Sequence, residues 1–213
     1  HYAGDLTTTM PVGADYTSRQ KDVYNVLINS YKTATSMIRP GITYREVHVA
    51  VWAKIAEGLK ALGLMKGDAM EAAEAGAVAM FMPHGLGHMM GMDVHDMENY
   101  GEVYVGYPRG ARKDPRFGFR SLRLGRTLEP GFVFTVEPGI YFIPELINQW
   151  RAAGKFTDFI CYDKLDAWKD FGGMRNEEDY LITETGSRHL GLRKPVDIEE
   201  ILACKNGTFT PYI

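Results

Sequence analysis

The chain changes its periodicity at Phe81, and that change limits the folds open to it. Upstream, apolar residues recur at helical spacing. Val23, Leu27, Tyr31, Ala34 and Ile38 line one side of a helix that opens at Thr17, has Gln20 at capping-box spacing and ends at Pro40-Gly41. Thr43 and Glu46 repeat the signal before Val47, Val51, Ile55, Leu59 and Leu62, and an alanine-rich helix is expected over 68–78. Downstream comes a stretch dense in glycine and histidine, Pro83 to Asp96, and then an irregular stretch over about 98–127. Phe132 to Glu137, resuming at Ile140 after Pro138-Gly139, and Arg175 to Thr183 read as strands. Residues 145–170 read as helix and loop, and 197–204 as a terminal helix. Before the first helix, the β-branched segment 5–12 reads as a strand with Asp5, Thr7 and Thr9 on one face. Helices first and strands later predict an α+β fold.

Composition narrows the function classes. The 213 residues carry a net charge of −3, which argues against a general nucleic-acid binder. No apolar run approaches the ~18 residues of a membrane span. Two cysteines, Cys161 and Cys204, build no disulfide framework, so a reducing, cytoplasmic setting is expected.

The residues able to carry chemistry are few. His84, His88 and His95 fall close together among glycines that let the backbone pack tightly. Glu137 ends an apolar strand, where a buried carboxylate needs a cation or a proton. Arg175 and Glu177 share one face of the last predicted strand, with Glu178 and Tyr180 on the other. Taken singly, each has a plain alternative: a surface loop, an edge-strand glutamate in water, a solvated ion pair contributing under about 1 kcal/mol. Spacing does not assemble Asp5, His88, Glu137 and Glu177 into a site. If they converge, one imidazole and three carboxylates suit Mn²⁺ or a similar divalent ion, with Zn²⁺, Fe²⁺ or Co²⁺ also permitted. Mutual repulsion of the carboxylates favours two ions, a device that yields a nucleophile from water at neutral pH.

A resemblance joins these pieces. Ala3-Gly-Asp-Leu-Thr-Thr-Thr-Met-Pro11, His84-Gly-Leu-Gly-His88, Asp93-Val-His-Asp96, Leu128-Glu-Pro-Gly131, Thr135-Val-Glu-Pro-Gly-Ile-Tyr141 and Gly173-Met-Arg-Asn-Glu-Glu-Asp-Tyr-Leu-Ile-Thr183 stand in the order found in the pita-bread metallopeptidases, peptidase family M24. That family includes prolidase, aminopeptidase P and methionine aminopeptidase. The resemblance implies a curved, mostly antiparallel sheet with helices outside, and two divalent metal ions. It assigns Asp5, His88, Glu137 and Glu177 as metal ligands, with Glu137 also the proton shuttle. It makes His95 a catalytic group that contacts substrate, gives His84 a place in the substrate pocket, and sets Arg175 just outside the ligands. Phe119-Arg-Ser-Leu-Arg-Leu-Gly-Arg126 and Tyr141-Phe-Ile-Pro144 resemble the eukaryotic prolidase type, which implies that Arg123 binds the free carboxylate of an Xaa-Pro dipeptide. A guanidinium fork suits that task.

Two departures accompany the resemblance. The family's first metal aspartate lies eleven residues before the one that Asp5 matches. Residues 1–213 are therefore expected to be a C-terminal catalytic domain without its first strand or the upstream N-terminal domain, and inactive alone. Asn176 stands where the family usually has an apolar residue. The expected activity of the intact protein, a homodimer by resemblance, is hydrolysis of small peptides with proline second, dipeptides favoured. Aminopeptidase P action on longer peptides is the close alternative. A non-catalytic peptide-binding module on the same fold, or a metal-free hydrolase of the creatinase kind, is a more distant one that retention of the four ligands argues against.

Overall fold

A computed structural model describes residues 1–208. Three helices come first: α1 (Ser18–Met37), α2 (Tyr44–Ala61) and α3 (Ala69–Ala75). Both expected capping boxes form, Thr17 with Gln20 and Thr43 with Glu46, so the free N–H groups at each helix start are met by side chains. The alanine-rich helix is shorter than 68–78. Gly76 turns left-handed (φ 91°) and ends α3, and Ala77–Met80 continues as a 3₁₀ turn. The stretch 98–127 is largely irregular, with one short helix, α4 (Glu102–Gly106), and two 3₁₀ turns.

Strands β1 (Val133–Val136) and β2 (Gly139–Phe142) are followed by α5 (Pro144–Ala152), α6 (Tyr162–Leu165), β3 (Gly172–Arg175), β4 (Glu178–Ile182), β5 (Ser187–His189) and α7 (Ile198–Lys205). One sheet has the order β1-β4-β5 and the other pairs β2 with β3, all antiparallel. Val136 stands opposite Glu178, and Gly139 opposite Arg175. Both ladders therefore carry one register, and the two sheets are arms of a single long ribbon interrupted at Pro138 and Asn176. Asn176 N–H donates to the Pro138 carbonyl (3.2 Å), but proline has no N–H to return.

Two expected strands are corrected here. Arg175 to Thr183 is not continuous, because the missing proline donor splits it into β3 and β4. Residues 5–12 form no ladder strand. Among the described residues their backbone pairs with the sheet at one bridge, Thr7 with Glu177, while the Thr9 hydroxyl bonds both backbone groups of Arg175 (2.9 and 3.1 Å).

The helices pack an apolar core against the ribbon, with Tyr24, Trp52, Tyr44, Phe81, Phe119, Phe134 and Phe142 all removed from solvent. Tyr44, in the first turn of α2, reaches β1 and donates its hydroxyl to the Thr135 carbonyl (2.6 Å). Asn176 is wholly buried, and neither side-chain amide atom has a partner among the described residues. Cys161 and Cys204 are free thiols. No described helix is long and apolar enough to cross a membrane.

Candidate metal centre

Four chain segments lie side by side to build the site. Residues 86–90 follow β1 on its other edge, with Thr135 N–H donating to the His88 carbonyl (3.0 Å) and Glu137 N–H to the Leu86 carbonyl (2.8 Å). Gly87 makes this approach possible: a Cβ there would lie 2.0 Å from the Thr135 carbonyl oxygen. The shared register sets Glu137 opposite Glu177, a position without backbone bonds between them, where side chains stand closest. The Thr7 bridge brings Asp5 beside Asp179, whose carboxylate accepts the Asp5 N–H (3.0 Å).

The four residues singled out from sequence converge. His88 Nε2 lies 3.3 Å from Asp5 Oδ2 and 3.7 Å from Glu137 Oε1. Ligand atoms of His88, Glu137 and Glu177 all fall within 4.8 Å of one another, as do those of Asp5, His88 and His95. They line an open cleft of about 890 Å³, together with His84, Arg123 and Arg175.

Hydrogen bonding fixes the charge logic. His88 Nδ1 is 3.1 Å from the Met89 carbonyl, which can only accept, so Nδ1 carries the proton. Nε2 is then a bare lone pair facing two carboxylates. Burial drives the imidazole further from protonation, lowering its pKa. Glu137 is pushed up to about 8, first by burial and then by the Glu177 carboxylate, and burial also raises Glu177. Arg175 lies beside these carboxylates. Its Nε is 3.5 Å from Glu177 Oε2, its Nη1 is 3.9 Å from Glu137 Oε2, and the side chain is 40% exposed. Asp5, His88, Glu137 and Glu177 crowd one region of a cleft that Arg175 and Arg123 also line, and this donor set fits divalent cations.

The remaining expected residues line the approach. His84 donates Nδ1–H to the Gly85 carbonyl (2.7 Å), and its buried Nε2 has no partner among the described residues. Burial lowers its pKa to about 4. His95 packs edge-on to His88, ring centres 4.3 Å apart. Arg123 Nη1 donates to His95 Nε2 (2.9 Å), which leaves the His95 proton on Nδ1. Arg123 Nε sits 3.6 Å from Glu98, which sequence reading did not single out.

Also missed were Thr135, whose hydroxyl lies between His88 N and Glu137 Oε1, and Thr7, whose hydroxyl donates to Glu177 Oε2 (2.6 Å). Alternation along the strands carried that signal: Thr135 is two residues from Glu137, and Thr7 two from Asp5.

A family profile described as metallopeptidase family M24 matches residues 1–184. The chain belongs to this family. It is 40% identical over 208 residues to Xaa-Pro dipeptidase of Rattus norvegicus, covering 97% of this chain and 40% of the relative. It is 36% identical over 203 residues to a probable Xaa-Pro aminopeptidase of Verticillium alfalfae, covering 94% and 42%. Among solved structures, zinc-substituted aminopeptidase P of E. coli in complex with product superposes with a TM-score of 0.71 at 32% identity, covering 98% of this chain and 39% of that one. This M24 chain thus has the pita-bread fold and spans about two fifths of the length of these relatives. Membership in a metallopeptidase family implies divalent metal, in agreement with the donor set.

Proposed function

We propose that the chain carries the catalytic centre of a metal-dependent peptidase that cleaves Xaa-Pro bonds, with Xaa-Pro dipeptides favoured. One observation carries the metal assignment: the bare His88 Nε2 faces the carboxylates of Asp5 and Glu137, with Glu177 in reach. Together with the upstream aspartate that the family resemblance implies, these four residues would hold two ions, Mn²⁺ in preference to Co²⁺, Zn²⁺ or Fe²⁺. Bound divalent metal supplies a nucleophile from water at neutral pH and polarises the scissile carbonyl.

The chain's own groups do the rest. Glu137, in contact with Thr135 and Arg175, takes a proton at its carboxylate and delivers it to the leaving proline nitrogen. His95, held at Nε2 by Arg123, presents Nδ1–H to the developing oxyanion. Arg123 offers its remaining N–H groups to the substrate carboxylate, and His84 lines the pocket. Likeness to aminopeptidases P supports a second reading, removal of the first residue from longer Xaa-Pro peptides.

The test is hydrolysis of Ala-Pro by the full-length protein after chelation and after Mn²⁺ is restored. Activity is expected only with metal. No bound metal and no hydrolysis under Mn²⁺-replete conditions would sink the reading.

A further inference from the structure

The segment carrying Asp5 meets the sheet at the Thr7–Glu177 bridge, where the two residues exchange backbone bonds of 3.2 and 3.0 Å. One side chain closes the back of this bridge. Lys194 Nζ donates to the Glu177 carbonyl (2.7 Å) and to the Thr7 carbonyl, and stands 3.6 Å from Glu178 Oε1. Two of the ammonium's protons meet the two carbonyls, and the Glu178 carboxylate stands beside it as counter-charge. The Lys194 side chain is 16% exposed and that of Glu178 only 2%. Glu178 points away from the cleft, where its other oxygen lies 2.9 Å from His189 Nε2. The cation and its counter-charges thus form a cluster behind the sheet, separate from the cleft.

Each bridge carbonyl already accepts an amide, so Lys194 adds a second, charge-assisted donor to both. Hydrogen bonds from an ionised donor are roughly twice as strong as those between neutral backbone groups. Thr7 sends its hydroxyl to Glu177 on the cleft side and its carbonyl to Lys194 on the other. Among the described residues this bridge is the segment's one backbone-to-backbone pairing with the ribbon; side-chain bonds flank it, from the Asp5 N–H to Asp179 and from the Thr9 hydroxyl to Arg175.

We propose that Lys194 is a positioning residue for the metal centre: it clips Thr7 to Glu177 and so fixes the separation of Asp5 and Glu177 before any ion binds. This rests on the metal assignment above. Glu178 and His189 hold the ammonium in place.

The experiment is Co²⁺ titration of the full-length protein by calorimetry, with amide hydrogen exchange at Thr7 read in the metal-free state. Lys194→Met is expected to weaken Co²⁺ binding by roughly 10- to 100-fold, the usual effect of losing a partner outside the ligands, and to speed exchange at Thr7. Lys194→Met also strands the buried Glu178, so the double variant Lys194→Met/Glu178→Gln is measured beside it. It is expected to regain thermal stability but not Co²⁺ affinity. Wild-type affinity in Lys194→Met, or full recovery of affinity in the double variant, overturns the clip. Failure of the wild-type protein to bind Co²⁺ overturns the metal assignment instead, and Thr7 exchange still reads the clip alone.

Discussion

Glu137 stands directly opposite Glu177 in one antiparallel register, although neither belongs to a regular strand. Each bonds its backbone outward instead, Glu137 to Leu86 and Glu177 to Thr7. Two carboxylates are thereby held face to face beside the His88 lone pair. Without a cation this arrangement opposes folding. A divalent ion at about 100 times its dissociation constant contributes roughly 2.7 kcal/mol, or about 5–10 °C in Tm for a chain of this size. Thermal unfolding with and without Mn²⁺ is expected to show such a rise, and Glu177→Gln to lose most of it. An equal rise in the variant would remove Glu177 from the ligand set.

Arg123 distinguishes the two peptidase readings. If its guanidinium captures the free carboxylate of a dipeptide, Arg123→Ala raises KM for Ala-Pro by roughly 10- to 100-fold, the equivalent of a charged hydrogen bond of about 1.5–3 kcal/mol. Hydrolysis of Ala-Pro-Ala would change much less. Steady-state kinetics on both substrates decide the matter, and a wild-type preference for the tripeptide would count against this role.

Gly87 lies against β1 with no room for a side chain. Gly87→Ala must push residues 86–90 off the Thr135 carbonyl and carry His88 with them. Overpacking of this kind costs about 1–3 kcal/mol. Denaturant unfolding is expected to show that loss, and metal titration a weakened site. A variant with unchanged affinity would mean that His88 is placed by other contacts.

Asn176 offers a stabilising change. Its buried amide has no partner among the described residues, and an unsatisfied buried polar group costs about 1–3 kcal/mol. Asn176→Val keeps the backbone donor to Pro138 and suits a pleated, buried position. Stability is expected to rise by about 1 kcal/mol or more in urea unfolding, and a fall would show that the amide is satisfied in solution.

Acid stability should depend on His48. This histidine is wholly buried in α2 against Trp52, with no hydrogen-bond partner among the described residues, and burial lowers its pKa to about 3. The unfolded chain takes up this proton near pH 6.5, and the folded chain only near 3. The stabilisation is therefore complete above about pH 6.5 and is lost as pH falls toward 3. His48→Phe is expected to flatten the pH dependence of stability between those limits relative to wild type. Parallel profiles would refute the assignment.

Local features carried much of this protein in the order of its residues. Thr17, Gln20, Thr43 and Glu46 are close in sequence and announce α1 and α2, because a capping box closes within one turn. The chemical character of Asp5, His88, Glu137 and Glu177 was also legible, and the ordered motifs around them identified the family. Tertiary structure decided what these residues do to one another. Segment 5–12 has a strand's composition but one bridge, since pairing depends on the neighbours a chain meets and not on propensity. The facing of Glu137 and Glu177, the tautomer of His88 and the reach of Lys194 into the Thr7 bridge all depend on contacts between residues far apart in sequence. No local pattern encodes such contacts, because they follow from the register in which the ribbon closes once the core is packed.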